Sequence, residues 1–380
     1  MADRHASSLH LAFSVPTLAG GGAERVVVTL ANAFAEAGHN VDLLLTSRCG
    51  PYSESVSPQV SVVNFECGHT WHTVPALVQT LRQRQPDVLV SALFGATVAA
   101  YGATTWMRTR GESVPRLCAT VHAPRPRTRN QGGRARLQAH AAHMILRRVE
   151  TVVAVSRTLA RSLATHVGRD RERIEVIYNP IDIDAVQSGM EALPHDWLED
   201  HVPVVVSAGR LHPQKDYRTL LRAVARLHDR NRRVRAIILG EGPERKRLDE
   251  LSRRLGISPD TAFPGFVENP YAFMAQADVF ALPSPVEAFG NVVVEALACG
   301  TPVVATDSSG GPVEILRTDG ATYGSFVPPQ DPVAMADALA AMLSRPVDQC
   351  RLQRRARDFG VSKAVNRYYD LFEQTACGAS

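Results

Sequence analysis

PSPVEAFGNVVVEALACGTPVVATDSSGGPVEIL (283–316) carries two carboxylates, Glu287 and Glu295, with seven residues between them and a helix start in the gap. The run ADVFALP (277–283) has the short apolar composition of a buried strand, and PVVAT (302–306) is a second one. Residues 290–299 read as the helix that joins them, stopped by Gly300 and by Pro302 two positions on. Val292, Val293, Val294, Ala296, Leu297 and Ala298 make this helix apolar all round, which predicts burial on every side and leaves Glu295 without a solvent face. A carboxylate buried in that way needs a protein donor or ligand hydroxyls against it. The backbone N–H groups near Gly290 and Asn291 point out of the helix start and favour an anion. Sugar hydroxyls beside a phosphate satisfy both ends.

Working outward, the same strand–loop–helix rhythm fills the chain. Strands are predicted at 11–15, 41–45, 60–65, 88–93, 117–122, 151–155 and 174–178, alternating with helices at 23–37, 74–85, up to about 108, 135–148 and from 157. Asn179-Pro180 breaks the pattern. It resumes with strands at 202–207, 234–239 and 263–265, helices at 216–228 and 243–255, then the opening stretch, a strand at 326–327, a helix at 333–343, an Arg-rich segment at 351–357 and a last helix from 362 to 372. Alternation of this kind predicts an α/β protein with parallel sheets. At 380 residues, two domains are expected: 1–180 and 181–361, with 362–380 packing back on the first. Both are Rossmann-like doubly wound units facing a cleft, in which ligands gather beyond the carboxyl ends of the strands.

Composition narrows the function classes. The 42 basic and 38 acidic residues leave a formal charge of +4, too mild to imply nucleic-acid binding. The six cysteines, at 49, 67, 118, 299, 350 and 377, lack short paired spacings and read as reduced thiols of a cytoplasmic protein. MADRHASSLH at the start lacks the apolar core of a signal peptide, and the uncharged stretch 88–107 fits a buried strand–helix unit better than a membrane span. No low-complexity segment or short-period repeat is present.

Two further motifs sit where such a site needs them. SAGRLHPQKD (207–216) follows the first strand of the second domain and puts Arg210 and Lys215 on one loop, a planar fork and a mobile point charge suited to a diphosphate. IILGEGP (237–243) runs a strand into a Gly240-x-Gly242 turn. A dinucleotide fold would want a third glycine near Arg245, so hydride transfer is disfavoured. The turn either lets backbone approach a ligand or is a tight structural turn.

Together these pieces resemble the retaining GT-B glycosyltransferases of family four, over nearly the whole chain, with GGGAERVVVTLANAFAEAGH (20–39) near the start and 207–316 as the more specific part. The resemblance implies that Glu287 lies near the donor sugar and Glu295 on the ribose, and that Arg210 and Lys215 bind the diphosphate. It extends the donor set to Gly21, Gly22, Gly209, Gly240, Gly242, Phe266, Val267, Ala288, Phe289, Gly290 and Asn291, with no metal and no cofactor beyond the nucleotide-sugar substrate. Many members have Gly where this chain has Ala288, so the identity of the sugar is less constrained than the reaction class. The resemblance also gives His122, at a strand end in ATVH (119–122), a place facing the donor sugar, although the structural reading is the better prior for any one of 13 histidines.

The remaining features have competing readings. Between Glu112 and Glu150 there are eight Arg and no acidic residue, with Leu137, Ala141, Met144 and Ile145 at helical spacing. Residues 125–148 are therefore a peripheral contact with the inner membrane face, a basic wall for an anionic acceptor, or an ordinary core-facing helix with a solvated loop. Asp182-Ile183-Asp184 has a metal-binding spacing but stands where Asp caps a helix, and the Cys67, His69 and His72 cluster is not a complete zinc set. The expected function is transfer of a hexosyl or N-acetylhexosaminyl group from a nucleotide sugar, expected to be UDP-linked. The acceptor is a small molecule or lipid-linked, in glycan, glycolipid or natural-product biosynthesis. A UDP-sugar epimerase of the same fold and a non-catalytic nucleotide-sugar binding protein are the rivals.

Overall fold

The computed structural model describes residues 8–47, 50–67, 72–122, 133–191, 195–308 and 310–377, without the side chains of 133–140 and 375–377. The chain divides into two compact units, one of residues 1–180 together with 361–380 and one of residues 181–360.

In the first unit the elements run β1 (His10–Val15), α1 (Gly22–Glu36), β2 (Asn40–Leu45), β3 (Ser61–Asn64), α2 (Thr73–Arg84), β4 (Val88–Ala92), α3 (Phe94–Arg108), β5 (Arg116–Val121), α4 (Gly133–Arg148), β6 (Thr151–Ala154), α5 (Arg157–Leu163) and β7 (Ile174–Val176). Seven parallel strands pair in the order β3-β2-β1-β4-β5-β6-β7. Strands such as β4 are buried at every position, the burial expected when helices cover both faces of a sheet.

The second unit opens with α6 (Ile183–Ser188), whose first N–H groups are capped by Asp182 accepting from the Ala185 N–H at 2.9 Å. It continues with β8 (Val204–Ala208), α7 (Tyr217–Asp229), β9 (Arg235–Leu239), α8 (Arg245–Arg254), β10 (Thr261–Gly265), α9 (Pro270–Gln276), β11 (Val279–Leu282), α10 (Asn291–Ala298), β12 (Val303–Thr306) and α11 (Gly311–Leu316). A small antiparallel pair, β13 (Arg317–Thr318) and β14 (Ala321–Thr322), precedes β15 (Gly324–Val327), α12 (Pro332–Met342) and α13 (Gln349–Ala356). The sheet order is β10-β9-β8-β11-β12-β15, all parallel. Helix α7 buries Tyr217, Leu220, Leu221, Val224 and Leu227, an i, i+3, i+4 stripe that packs with Val205, Ile238 and Val279 of the sheet and with Met335 and Leu339 of α12.

The last helix, α14 (Val361–Cys377), belongs to the first core, where Tyr368 and Phe372 pack with Phe13 and Phe34. Its neighbour, the Arg-rich segment, is helical. It is α13, with Leu352 and Ala356 buried one turn apart. Arg355 of that helix donates to the carbonyls of Glu314 and Ile315 at 2.8 Å each, and its guanidinium lies over the Phe359 ring at 4.7 Å. The short helices α9 and α11, seven and six residues long, also escape a periodicity reading.

Candidate functional site

In the second sheet the order reverses at β8, which has β9 on one side and β11 on the other. Connections leaving β8 and β11 therefore depart toward opposite faces, and a crevice opens at the carboxyl ends between them. The two loops at that point are 209–216 and 283–290, the segments that carry Arg210, Lys215 and Glu287.

The first loop is pinned by backbone. Gly209 N–H donates to Leu239 O at 3.0 Å, Leu211 N–H to Glu241 O at 2.8 Å, and Gly240 N–H to Gly265 O at 2.7 Å, so the ends of β8, β9 and β10 are tied in series. Gly240 has φ +125°, and a Cβ there would lie 2.2 Å from the Gly209 carbonyl oxygen. A Cβ on Gly242 would likewise fall 2.4 Å from Leu211 O, so the Gly240-x-Gly242 turn is a close backbone contact with the first loop. Phe266, exposed, and Val267, half-buried, follow β10 directly after this tie.

A single 3₁₀ turn, Pro213–Lys215, brings Lys215 round to the crevice, and His212 accepts the Lys215 N–H on its carbonyl at 2.9 Å. The Lys215 ammonium forms an ion pair with Glu287, 72 residues further along the chain. Arg210 is exposed, and no carboxylate among the described residues pairs with it.

The second loop ends in a helix start. Gly290 adopts φ +89° and precedes the first residue of α10, Asn291. Phe289 is buried and packs edge-on against Phe359 at 5.7 Å, anchoring the loop between the half-buried Ala288 and Gly290. The Gly-Gly pair at the end of the opening stretch closes on it from the other side: a Cβ on Gly310 would sit 2.1 Å from Glu287 O and one on Gly311 2.2 Å from the Phe289 Cα. Glu295 is 2% exposed and does not stand alone within the protein. Burial and then the nearby Glu295 charge push the Cys299 thiol up to about 12, which keeps it neutral.

Three groups here have no sequence signal. The Tyr217 hydroxyl is buried beside Gly209 and Lys215, and it and the buried Ser284 and Ser308 hydroxyls have no hydrogen-bond partner among the described residues. Burial, with the charge of Glu287 adding to it and the nearby Ser207 hydroxyl opposing it, pushes the Tyr217 phenol up; the Ser207 hydroxyl itself donates to the Ala281 carbonyl at 2.6 Å. In sequence Tyr217 is an ordinary apolar-stripe position of a helix, and the serines are ordinary loop residues.

The other predicted site residues lie in the first unit. Gly21 caps α1 and Gly22 begins it, beyond the end of β1, which stands at that sheet's own reversal between β2 and β4. His122 follows β5, and neither of its ring nitrogens has a partner among the described residues. Burial pushes it down from 6.5 to about 4. Residues 123–132 of the basic stretch, and 68–71 of the Cys67–His72 cluster, lie outside the described residues; within α4, Arg147 and Arg148 are exposed and Met144 and Ile145 half-buried. Among the described residues no helix is long and apolar enough to cross a membrane, and no three His, Cys, Asp or Glu side chains could together hold a metal ion.

Comparison with known proteins decides the family. The model described as "Glycosyltransferase Family 4" matches residues 20–185, and that described as "Glycosyl transferases group 1" matches residues 191–359. The chain belongs to this glycosyltransferase family. The family member is 35% identical over 172 residues to the N-acetylgalactosamine-N,N'-diacetylbacillosaminyl-diphospho-undecaprenol 4-alpha-N-acetylgalactosaminyltransferase of Campylobacter jejuni, a match covering 45% of each chain. It is 35% identical over 228 residues to the D-inositol 3-phosphate glycosyltransferase of Nocardia farcinica, covering 55% of this chain and 48% of that one. The chain thus spans about half the length of the curated relatives it matches. The solved structure of Anabaena HepE in complex with UDP-glucose superposes with a TM-score of 0.81 at 22% identity, over 96% of this chain and 100% of the other, which shows that this chain has the GT-B fold.

Proposed function

We propose that the chain is a retaining glycosyltransferase that moves a hexosyl or N-acetylhexosaminyl group from a UDP-sugar to an acceptor. The observation that carries the reading is the meeting of Lys215 and Glu287 at the sheet reversal of the second unit, beside the start of α10. A cation already held by a carboxylate can exchange it for a diphosphate, and the released Glu287 is then free to accept hydroxyls of the sugar. Arg210, which has no carboxylate partner among the described residues, adds a fork of donors, and the N–H groups at Asn291 add the positive end of a helix. These groups oppose the negative charge that builds on the departing diphosphate, so they act most strongly in the transition state. The first unit is assigned the acceptor, with neutral His122 positioning hydroxyls. No metal is needed for charge neutralisation in this scheme.

The diphospho-undecaprenol in the name of the Campylobacter relative favours a lipid-linked acceptor, and the UDP-glucose held by HepE makes UDP-hexoses the first donors to try. With such an acceptor, the cytoplasmic protein would touch the inner membrane face through 125–148. The test is incubation with a panel of UDP-sugars, with and without polyprenyl-diphosphate-linked glycans, read by mass spectrometry and NMR. Acceptor-dependent product with the donor's anomeric configuration supports the proposal; an epimer formed without acceptor, or binding with no reaction, replaces it with one of its rivals. Replacing Lys215 with Ala is expected to lower turnover by about a hundredfold with the fold intact. Activity within about twofold of the parent would remove Lys215 from the mechanism.

A further inference from the structure

A second concentration of cations, on side chains other than Arg210 and Lys215, lies on α7 and α8. Helices α7 and α8 carry eight Lys and Arg (three and five) against three Asp and Glu (one and two), an excess of five that exceeds the formal +4 of the whole chain. Part of it converges. Arg218 and Arg222, one turn apart on α7, and Arg247, Glu250, Leu251 and Arg254, one stripe of α8, line a cavity of about 240 Å³. A single water needs only ~10–15 Å³ of such space, so the cavity takes a larger guest.

The nearby carboxylates do not neutralise it. Glu244 is 4% exposed and is spoken for twice, by Arg218 at 2.6 Å and by Arg247 at 2.7 Å. Among the described residues no carboxylate pairs with Arg222 or Arg254, both exposed. Glu250 is the only acid lining the cavity, so the four guanidiniums with Glu244 and Glu250 leave a local charge of +2. An ordinary solvated helix face spreads its arginines; here they occupy the facing stripes of two packed helices over an apolar floor, Leu251, whose neighbour Leu248 is in the core. Arg218 and Arg247 share the Glu244 carboxylate, and the positive charge of Arg222 and Arg254 on the same concavity favours a further anion there. Their planar forks match phosphate oxygens two at a time.

We propose that the α7–α8 groove is an anion site for phosphate groups, distinct from the crevice that holds Lys215 and Glu287. The phosphate comes either from a free phosphorylated compound or from a lipid headgroup, and two arms separate these sources. In one, calorimetric titration with inorganic pyrophosphate compares the wild-type protein, R222E/R254E and R210A/K215A. In the other, the same proteins are sedimented with phosphatidylcholine vesicles with and without phosphatidylglycerol. R222Q/R254Q accompanies the charge reversal as a milder change, and circular dichroism checks that each variant is folded.

The expected result is binding in at least one arm that survives R210A/K215A and weakens by about tenfold or more in R222E/R254E. Pyrophosphate binding with that pattern assigns a free phosphate; phosphatidylglycerol-dependent sedimentation with that pattern assigns a headgroup. Binding that neither arginine pair change weakens, or no binding in both arms, overturns the proposal. Loss of UDP binding in R210A/K215A bears only on the crevice, so the two sites stand or fall separately.

Discussion

Two side chains show how much the site depends on groups held out of water. His122 is pushed down to about 4 by burial, so the native imidazole stays neutral while the unfolded chain, near 6.5, takes up a proton. Above pH ~6.5 this makes no difference to stability, and between ~6.5 and ~4 it removes up to about 3 kcal/mol. H122Q lacks the effect. The gap in unfolding free energy between the wild-type protein and H122Q is therefore expected to shift toward the variant as pH falls through this window, measured by urea unfolding at each pH. A pH-independent gap would show that the ring gains its partners in solution. Tyr217 supplies a second case. An orphaned buried hydroxyl costs roughly 1–3 kcal/mol, so Y217F is expected to melt at or above the wild-type temperature by calorimetry. A clear fall would mean that the phenol is hydrogen-bonded.

At the scale of elements, the loops at the crevice are fixed by backbone pressed on backbone. G240A forces a Cβ to 2.2 Å from Gly209 O at φ +125°, and is expected to cost at least about 1–3 kcal/mol in unfolding by guanidinium. It should also disturb the Arg210 loop and weaken UDP binding; unchanged stability would mean that the tie is loose. The strands and long helices were legible because Val, Ile and Leu repeat at strand or helix period, as in β8 and α7. What was not legible follows from length and distance. Helices α9 and α11 are too short to show a period, and α13 hides two buried residues among its arginines. Lys215 and Glu287 stand on separate loops of the sequence, and their pairing spans 72 residues and depends on strand order, which no local pattern encodes. The orphan hydroxyls of Tyr217, Ser284 and Ser308 depend on burial and had no signal at all.

Across the whole molecule, the chain leaves the first unit at Pro180 and returns to it at Val361. Ile181 N–H donates to Phe359 O at 2.9 Å, so both crossings are joined at one edge of the second unit. Helix α14 then completes the first core with residues far from it in sequence. F372A, at a 2% exposed position, is expected to lower the stability of the first unit by about 3–5 kcal/mol while leaving that of the second unchanged, seen as movement of one of two calorimetric transitions. In the second unit the reversal of strand order brings a cation pair, a carboxylate and a helix start together, where we propose that the diphosphate binds. Isothermal titration of UDP into the wild-type protein and R210A/K215A tests it most directly. Saturable binding that weakens by about tenfold or more in the variant is the predicted result; no binding to the wild-type protein, or equal affinity for both, would contradict it.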